Sequence, residues 1–278
     1  MSGRPESGSN FQLGFLFLAR EKREALREVY GFCRRVDDIV DSGSLPPLEA
    51  AKELDFWVGE VERLYSGTPT HPLSLRLLPH VREYRLPKEG FLSLLAGVRM
   101  DLEKSRYETF SELEKYLYGV AGSVGLLCVE IFGYRHTPAA EVREYALSMG
   151  NAFQLTNILR DVGSDMERGR IYLPQEDFRA AGCAMDSFLR RQHTPEFLRL
   201  MGMQYDRAKG FYRKARNLLH PLDRAAMTPA EVMAAIYEEL LDTMKAGQFR
   251  VFFTRTGLHL WRKAALACKA WAASHGIY

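Results

Sequence analysis

Apolar residues recur along this chain at intervals of three and four, the period of an amphipathic helix. No stretch of useful length alternates apolar and polar positions as a strand would. The pattern therefore predicts a single all-α domain over residues 11–278, with helices packed around a central cavity. Residues 1–10, rich in Gly, Ser and Pro, are expected to form a flexible N-terminus.

Glycine, proline and capping residues divide this pattern into separate helices. The predicted helices cover 48–65, 73–85, 88–104, 111–132, a segment that begins at 138, 188–219 and a segment that begins at 228. Ser111 and Glu114 have the spacing of a capping box. Asp101, near the end of its helix, is interpreted as a cap or a surface acid.

Two helical stretches carry pairs of carboxylates, and the longer one runs from Asn151 to Pro174. At about 100° per residue, positions i, i+3, i+7 and i+11 share one face of a helix. In this stretch they are Gln154, Asn157, Asp161 and Asp165. Arg168 extends the same polar stripe if the helix continues past Gly163. A polar stripe thus runs along an otherwise apolar helix.

The second stretch, YGFCRRVDDIVD, lies upstream at residues 30–41. Asp37 falls on an apolar stripe with Tyr30 and Cys33, and Arg34 and Asp41 lie at its edge. Asp37 and Asp41 are about 6 Å apart along the helix axis. Carboxylates among residues that favour burial mark a place where a functional site is expected.

Carboxylates on two inward faces lose hydration and repel one another, so they need a cation or a proton. Mg²⁺ takes only one or two carboxylates per ion and keeps its other sites for water and phosphate. Two such helices facing each other across a cavity therefore predict a site for a metal–diphosphate ligand. The alternative is that each pair of acids is an ordinary solvated i, i+4 pair.

Glycine is unusually frequent in the helix predicted over 111–132. Gly119, Gly122 and Gly125 each cost a helix about 1 kcal/mol relative to Ala. They allow either close packing of another helix or a wider cavity for a polyisoprene chain. Phe11 and Phe15, which share a helical face, are assigned to core packing or to the wall of such a pocket.

The composition excludes some classes of function but does not by itself indicate one. The chain has 278 residues, 46% of them hydrophobic, and its net charge of +3 is too small to indicate a nucleic-acid partner. Four cysteines lack metal-ligand spacing, which favours buried, reduced thiols in a cytoplasmic protein. We find no 18-residue apolar run that would span a membrane and no signal peptide.

The C-terminal segment from Thr243 to Tyr278 contains six Lys and Arg residues and no acid, with apolar residues interleaved. This composition is typical of a basic amphipathic helix that contacts a membrane surface. A terminal helix docked on the core, with a solvated basic face, explains it equally well. Peripheral contact with the inner membrane face is therefore an open prediction.

The two acidic stretches resemble the aspartate motifs of the squalene/phytoene synthase family, CRRVDDIVD and QLTNILRDVGSDMERGRIYLP. The resemblance extends from Phe11 to about Phe253. Within the family, GFLFLAREKREALREVYGFCRRVDDIVD, VGLLCVEIFGY and MAAIYEELLD are most similar to bacterial presqualene diphosphate synthases of hopanoid biosynthesis. The resemblance implies an isoprenoid-synthase-type helical bundle.

It also implies an activity, the head-to-head (1'-1) condensation of two farnesyl diphosphates to presqualene diphosphate, with release of diphosphate. The expected cofactor is Mg²⁺, about two or three ions, with Mn²⁺ as a substitute. NADPH is not expected for this step. Phytoene, squalene and dehydrosqualene synthases remain alternatives within the family. A terpene cyclase and a non-catalytic, membrane-associated helical scaffold are alternatives outside it.

The site residues follow from the motifs and the resemblance together. The expected metal ligands are Asp37, Asp41, Asn157, Asp161 and Asp165, and the expected phosphate-binding arginines are Arg34, Arg160, Arg168 and Arg250. The counterpart of Tyr116 in the family lies near the diphosphates and the reacting carbons; Tyr116 and released diphosphate are both candidates for the proton acceptor. The expected pocket residues are Phe11, Phe15, Tyr30, Cys33, Ala121, Val124, Gly125, Gln154 and Tyr237. We expect Asp37→Ala and Asp161→Ala to abolish turnover and leave folding intact.

Overall fold

The protein is an assembly of helices, seen in a computed structural model that describes residues 13–277. In chain order they are α1 (Arg20–Asp41), α2 (Pro47–Ser66), α3 (Pro72–Glu83), α4 (Lys88–Glu103), α5 (Phe110–Leu117), α6 (Ser123–Phe132), α7 (Ala139–Glu167), α8 (Gln175–Ala181), α9 (Met185–Leu189), α10 (Pro195–Leu218), α11 (Thr228–Ala246) and α12 (Leu260–Ser274). A π-helical turn, Tyr118–Gly122, joins α5 to α6. The described residues contain no strand, and the prediction of an all-α fold is confirmed.

Helix α7 is the central element of the bundle. It is 29 residues long, and α6, α10, α11 and the π-helical turn all pack against it. Its buried residues lie on several faces, so it has no single solvent side over most of its length. The buried apolar side chains of the described residues form one cluster, as expected for one domain. Residues 1–10, predicted to be flexible, lie outside the described residues.

Some predicted helix boundaries are wrong. The N-cap of α5 is Thr109, whose hydroxyl accepts a hydrogen bond from the backbone N–H of Glu112 at 3.2 Å, rather than Ser111. The segment predicted as one helix over 188–219 is two helices, because the chain turns before Pro195. The basic C-terminal segment is not one helix, since residues 243–246 are the end of α11 and the rest is helical over α12. In contrast, α7 does continue past Gly163, as the polar stripe required, and Arg168 is the first residue beyond it.

The glycines of the π-helical turn and α6 are explained by close packing of helices. A Cβ on Gly119 would lie 2.6 Å from the Cα of Gly97 on α4. A Cβ on Gly125 would lie 2.7 Å from the carbonyl oxygen of Ala146 on α7. Larger residues at either position would push these helices apart. Helices α6 and α7 also border the cavity described below, so the close contact between these two helices sets the width of that cavity.

One continuous helical segment, Phe110–Phe132, is long and apolar enough to cross a membrane by length and composition alone. Within the fold 61% of its most apolar window is buried, which is the environment of a core helix. The expectation that no stretch is apolar enough to span a membrane is therefore wrong by that measure. The predicted buried thiols are found: Cys33 and Cys128 are buried and unpaired.

Asp223, in a short 3-10 turn before α11, fixes the loop between α6 and α7. Its buried carboxylate accepts hydrogen bonds from the backbone N–H groups of Arg135, His136 and Thr137 and from the Thr137 hydroxyl, at 2.6–3.0 Å. Burial raises the pKa of Asp223, but these hydrogen bonds outweigh burial and lower it to about 2. The carboxylate therefore stabilises the fold in its ionised form.

Replacing Asp223 is expected to destabilise the protein in a pH-dependent way. Asp223→Ala removes the acceptor of three backbone N–H groups, of which that of Thr137 is buried, and should lower the free energy of unfolding by about 1–3 kcal/mol at neutral pH. Because the folded pKa lies below the unfolded value of about 3.9, the difference from wild type is full above that pH and disappears as pH falls towards 2. Urea unfolding of both proteins at several pH values measures this difference in the free energy of unfolding. Asp206→Ala, at an exposed acid, is the control; equal losses for both variants would contradict the prediction.

Candidate active site

An apolar cavity opens in the middle of the bundle, between α1, the π-helical turn, α6, α7 and α11. The cavity contains about 1250 Å³ of empty space, part of which is open solvent at its mouth. Of the residues predicted from sequence, those that line it are Phe15, Tyr30, Cys33, Arg34, Asp37, Ala121, Val124, Gly125, Gln154, Asn157 and Tyr237. Phe11 lies outside the described residues. The predicted pocket residues thus converge on one apolar space with a polar end.

The two ends of the cavity differ in chemistry, as the positions of the lining residues along the helices show. Along α7, Asp161 and Tyr145 are 16 residues apart, which corresponds to roughly 24 Å at 1.5 Å per residue. The carboxylates lie towards one end of α7, and Tyr145 and Phe132 line the cavity far from them. The cavity therefore has an acidic mouth and an aromatic far end.

The two acidic motifs meet at this mouth. Asp37 and Asp41 on α1 border a small polar pocket together with Gln154 of α7. Arg170, just beyond α7, places its Nη1 2.9 Å from Oδ1 of Asp41, and the Nη1 of Arg168 is 3.9 Å from Oδ2 of the same carboxylate. The predicted juxtaposition of the two motifs is therefore present. Asp41 is at the rim, with 45% of its side chain exposed, rather than on an inward face.

Asp37 is the carboxylate that the cavity desolvates most directly. It has no ion-pair partner among residues 13–277. Burial, and then the nearby charge of Asp41, raises the pKa of Asp37 to about 7. Burial and the charge of Asp161 raise the pKa of Asp165 to about 7 as well. Both carboxylates are thus held where an added cation would be favourable.

Asp161 is in a different state, because two arginines hold it. Arg160 donates to its two oxygens at 2.8 and 2.5 Å, and Arg255 donates to the same two oxygens at 2.8 and 3.3 Å. Burial raises the pKa of Asp161, but the two guanidinium groups outweigh it and the net shift is downward. Asp161 is therefore ionised and fully paired.

The donor set fits a divalent metal that binds together with a phosphate. The Oδ1 atom of Asn157 is buried and accepts no hydrogen bond, which leaves a lone pair free beside the aspartates. No group of three or more His, Cys, Asp or Glu side chains in the described part of the chain could enclose an ion alone. Mg²⁺ needs only one or two carboxylates and completes its shell with water and phosphate oxygens. Asp37, Asp41, Asn157, Asp161 and Asp165 would hold it.

Asp101 is a member of this site, and its assignment to a cap or to the surface is wrong. Its side chain is only 9% exposed. The hydroxyl of Tyr172 donates to it at 2.8 Å, and the hydroxyl of Tyr116 donates to it at 3.0 Å. Tyr116 also borders the polar pocket beside Asp37, and burial raises its pKa well above the ordinary value. The phenol of Tyr116 is therefore neutral and acts as a donor here.

Two of the predicted arginines do not have the expected surroundings. The guanidinium of Arg160 is buried, with 4% exposure, and is committed to Asp161. Arg250 is exposed and lines neither the cavity nor the polar pocket. Arg34 lines the cavity and pairs with Asp38 at 3.0 Å. The arginine near the C-terminal end of the chain that does reach an aspartate is Arg255.

The sequence contained a signal for Asp101 that was overlooked. Phe91, Leu94, Val98 and Asp101 share one face of α4, so Asp101 continues a buried stripe as Asp37 does on α1. Arg170, Tyr172 and Arg255 had no such signal. They come from irregular segments, and the pairing of 105–107 with 171–175 by backbone hydrogen bonds brings Tyr172 to the site.

Comparison with known proteins agrees with this geometry. The family model for squalene/phytoene synthases matches residues 4–262. Phytoene synthase 1 of Arabidopsis thaliana is 35% identical over 97% of this chain, which spans 64% of that relative's length. The 15-cis-phytoene synthase of Synechocystis is 34% identical over 94% of this chain and 80% of its own.

Two solved structures share the fold over most of their length. A dehydrosqualene synthase in complex with a ligand superimposes with a TM-score of 0.84 at 29% identity, covering 98% of this chain and 93% of its own. The squalene synthase HpnC of Alicyclobacillus acidocaldarius superimposes with a TM-score of 0.77 at 29% identity, covering 88% of this chain and 91% of its own. With a family model that matches nearly the whole chain and an acidic mouth on an apolar cavity, the chain belongs to the squalene/phytoene synthase family.

Proposed function

We propose that this protein condenses two farnesyl diphosphates head to head (1'-1) to presqualene diphosphate, in a Mg²⁺-dependent step of squalene and hopanoid biosynthesis. The observation that carries the proposal is the position of the carboxylates. Asp37 and Asp41 of α1 border the polar end of an apolar cavity together with Gln154 of α7, and Arg170, just beyond the acids of α7, pairs with Asp41. Such a site suits a ligand with an anionic head and a hydrocarbon tail.

The residues of the mouth act on the diphosphate heads. Asp37, Asp41, Asn157, Asp161 and Asp165 would hold a divalent cation there, and that cation would supply Lewis-acid neutralisation of the leaving diphosphate. Arg34, Arg168 and Arg170 lie at the same mouth and donate charge-assisted hydrogen bonds to phosphate oxygens. With its charge neutralised, one diphosphate leaves with the electron pair of its C–O bond and an allylic cation remains.

The apolar walls then determine what captures that cation. The double bond of the second farnesyl chain attacks it, a proton is lost, and a cyclopropane closes. Ala121, Val124 and Cys33 line the cavity and exclude the water that would quench the cation. The neutral phenol of Tyr116 holds its proton towards Asp101, so released diphosphate is the better candidate for the acceptor.

Phytoene synthase is the second candidate, and the names of the relatives favour it. Eight related proteins that are 34–37% identical to this chain are phytoene synthases. Phytoene synthesis is the same condensation with longer prenyl chains. The two candidates differ in the length of the prenyl chain that the cavity accepts.

We also propose peripheral contact with the inner face of a membrane, through the N-terminal end of α12. Phe253, Leu260 and Trp261 are 77%, 70% and 68% exposed and lie within nine residues of one another. They belong to the acid-free segment with six Lys and Arg residues, which complements an anionic lipid surface. A prenyl product with little solubility in water would leave the protein close to a bilayer.

Product analysis tests the proposed substrate directly. Purified protein with Mg²⁺ and farnesyl diphosphate is expected to form presqualene diphosphate, with or without NADPH, identified by mass after dephosphorylation. Geranylgeranyl diphosphate should be converted at least about tenfold more slowly. Preference for geranylgeranyl diphosphate would establish phytoene synthase instead, a C15 product a terpene cyclase, and no release of diphosphate a scaffold.

Asp37→Asn is expected to abolish the reaction without weakening the fold. Removing the carboxylate should lower kcat/KM by at least about a hundredfold. It also removes a half-buried negative charge next to Asp41 and Asp101, so the thermal midpoint without metal should stay equal or rise. Circular dichroism and steady-state kinetics measure the two effects. Near-native turnover would contradict the role given to Asp37.

Asp161 requires a different expectation from the one drawn from sequence. Asp161→Ala leaves the buried guanidinium of Arg160 without its carboxylate. Loss of one partner from a buried pair is destabilising by about 3–5 kcal/mol, so this variant should lose stability as well as turnover. Asp37→Asn is therefore the cleaner test of the metal site.

Membrane contact is tested with vesicles. Wild-type protein should co-sediment with vesicles that contain anionic lipid and not with purely zwitterionic ones. Combined Leu260→Ser and Trp261→Ser substitutions should weaken partitioning by about tenfold or more. Leu222→Ser, at an equally exposed leucine on another surface, is the matched control. Equal binding of all three proteins would rule out this surface.

A further inference from the structure

The segment between α11 and α12, residues 247–259, crosses α7 next to its aspartates; we call it the strap. Phe252 anchors it, since its ring is buried and stacks on Phe197 with centroids 4.5 Å apart. Its backbone also packs against Gly163, where a side chain would collide with the carbonyl oxygens of Val251 and Phe252. Three residues after this anchor, the strap places Arg255 on Asp161.

Asp161 has no free acceptor position while Arg255 is bound. A carboxylate offers about four lone pairs. Arg160 and Arg255 each bind both oxygens, so four hydrogen bonds occupy all four positions. If Asp161 is to ligate a divalent metal, at least one of the two arginines must leave it.

The surroundings of the two arginines decide which one leaves. Arg160 is 4% exposed and is next to Asp161 on α7, so its release would leave a charge buried and unpaired. Arg255 is 39% exposed and lies in an irregular segment. Its guanidinium is already partly in water, and Asp161 keeps Arg160 when Arg255 leaves, so the departure of Arg255 leaves no buried charge unpaired.

We propose that Arg255 is a positioning residue that serves as the resident counter-cation of Asp161 and is displaced when a divalent metal binds. Before the metal arrives, Arg255 and Arg160 together hold the carboxylate ionised and oriented towards the mouth. The metal then replaces Arg255, and Arg160 keeps the carboxylate in place. The inference rests on the proposed metal-dependent function of this site.

Competition between Arg255 and the metal makes the affinity for metal the decisive measurement. Mn²⁺ in the presence of a fixed concentration of inorganic diphosphate serves as the probe, because phosphate oxygens complete the site, and free Mn²⁺ is measured by electron paramagnetic resonance against a protein-free titration. Arg255→Gln removes the competing charge and should tighten Mn²⁺ binding by about two- to fivefold. Arg255→Lys keeps the charge but loses the bidentate geometry, and should fall between wild type and Arg255→Gln.

The matched control is Arg262→Gln. It makes the same change of charge in the same part of the chain, and Arg262 pairs with Glu239, not with the aspartates of α7. Its affinity for Mn²⁺ should equal that of wild type. If Arg255→Gln binds Mn²⁺ with wild-type affinity or more weakly, Arg255 does not compete with the metal and the proposal is overturned.

A second measurement uses the wild-type protein and needs no variant. Trypsin requires a free arginine side chain, so the bond after Arg255 should be cleaved faster once Mn²⁺ has displaced Arg255 from Asp161. Unchanged or slower cleavage after Arg255 at saturating Mn²⁺ would overturn the displacement. If wild type binds no Mn²⁺ and shows no metal-dependent condensation, the proposed function itself fails; if it does both and these tests are negative, only the role of Arg255 fails.

Discussion

The structure depends on how it stabilises several carboxylates beside an apolar cavity. Like charges that lose hydration there must be paired, protonated or bound to a cation. The carboxylates differ in their partners. Asp161 is held by two arginines, Asp41 meets arginines from beyond α7 at the solvent rim, and Asp37 has no ion pair with any residue that the structure describes. The mouth thus combines satisfied acids, which hold its shape, with unsatisfied ones, which can take up a ligand.

The walls of the cavity follow from how closely the helices approach. The π-helical turn and α6 meet α4 and α7 through glycines, so these backbones lie in contact and leave little room to adjust. In the proposed reaction, a rigid wall and an apolar lining would exclude water from the cationic intermediate. The same packing accounts for the apolar character of Phe110–Phe132, which lies in the interior of the bundle.

The acidic mouth is larger than the two aspartate motifs. Asp101 on α4 binds the hydroxyls of Tyr116 and Tyr172, so a third helix and a loop hold the polar end together. The strap adds Arg255 from the C-terminal part of the chain. Residues far apart in sequence therefore set the charge of the site, and the two aspartate motifs supply only part of that charge.

The sequence determined the helices, the two polar faces and part of the cavity lining, because period and burial are encoded locally along a helix. That is why Asp37, Asn157 and Tyr237 could be placed in advance. Only the tertiary structure decided which partner each charge has. Arg255 rather than Arg250 meets Asp161, and Asp101 is buried, because irregular segments and helix crossings carry no period from which their positions can be read.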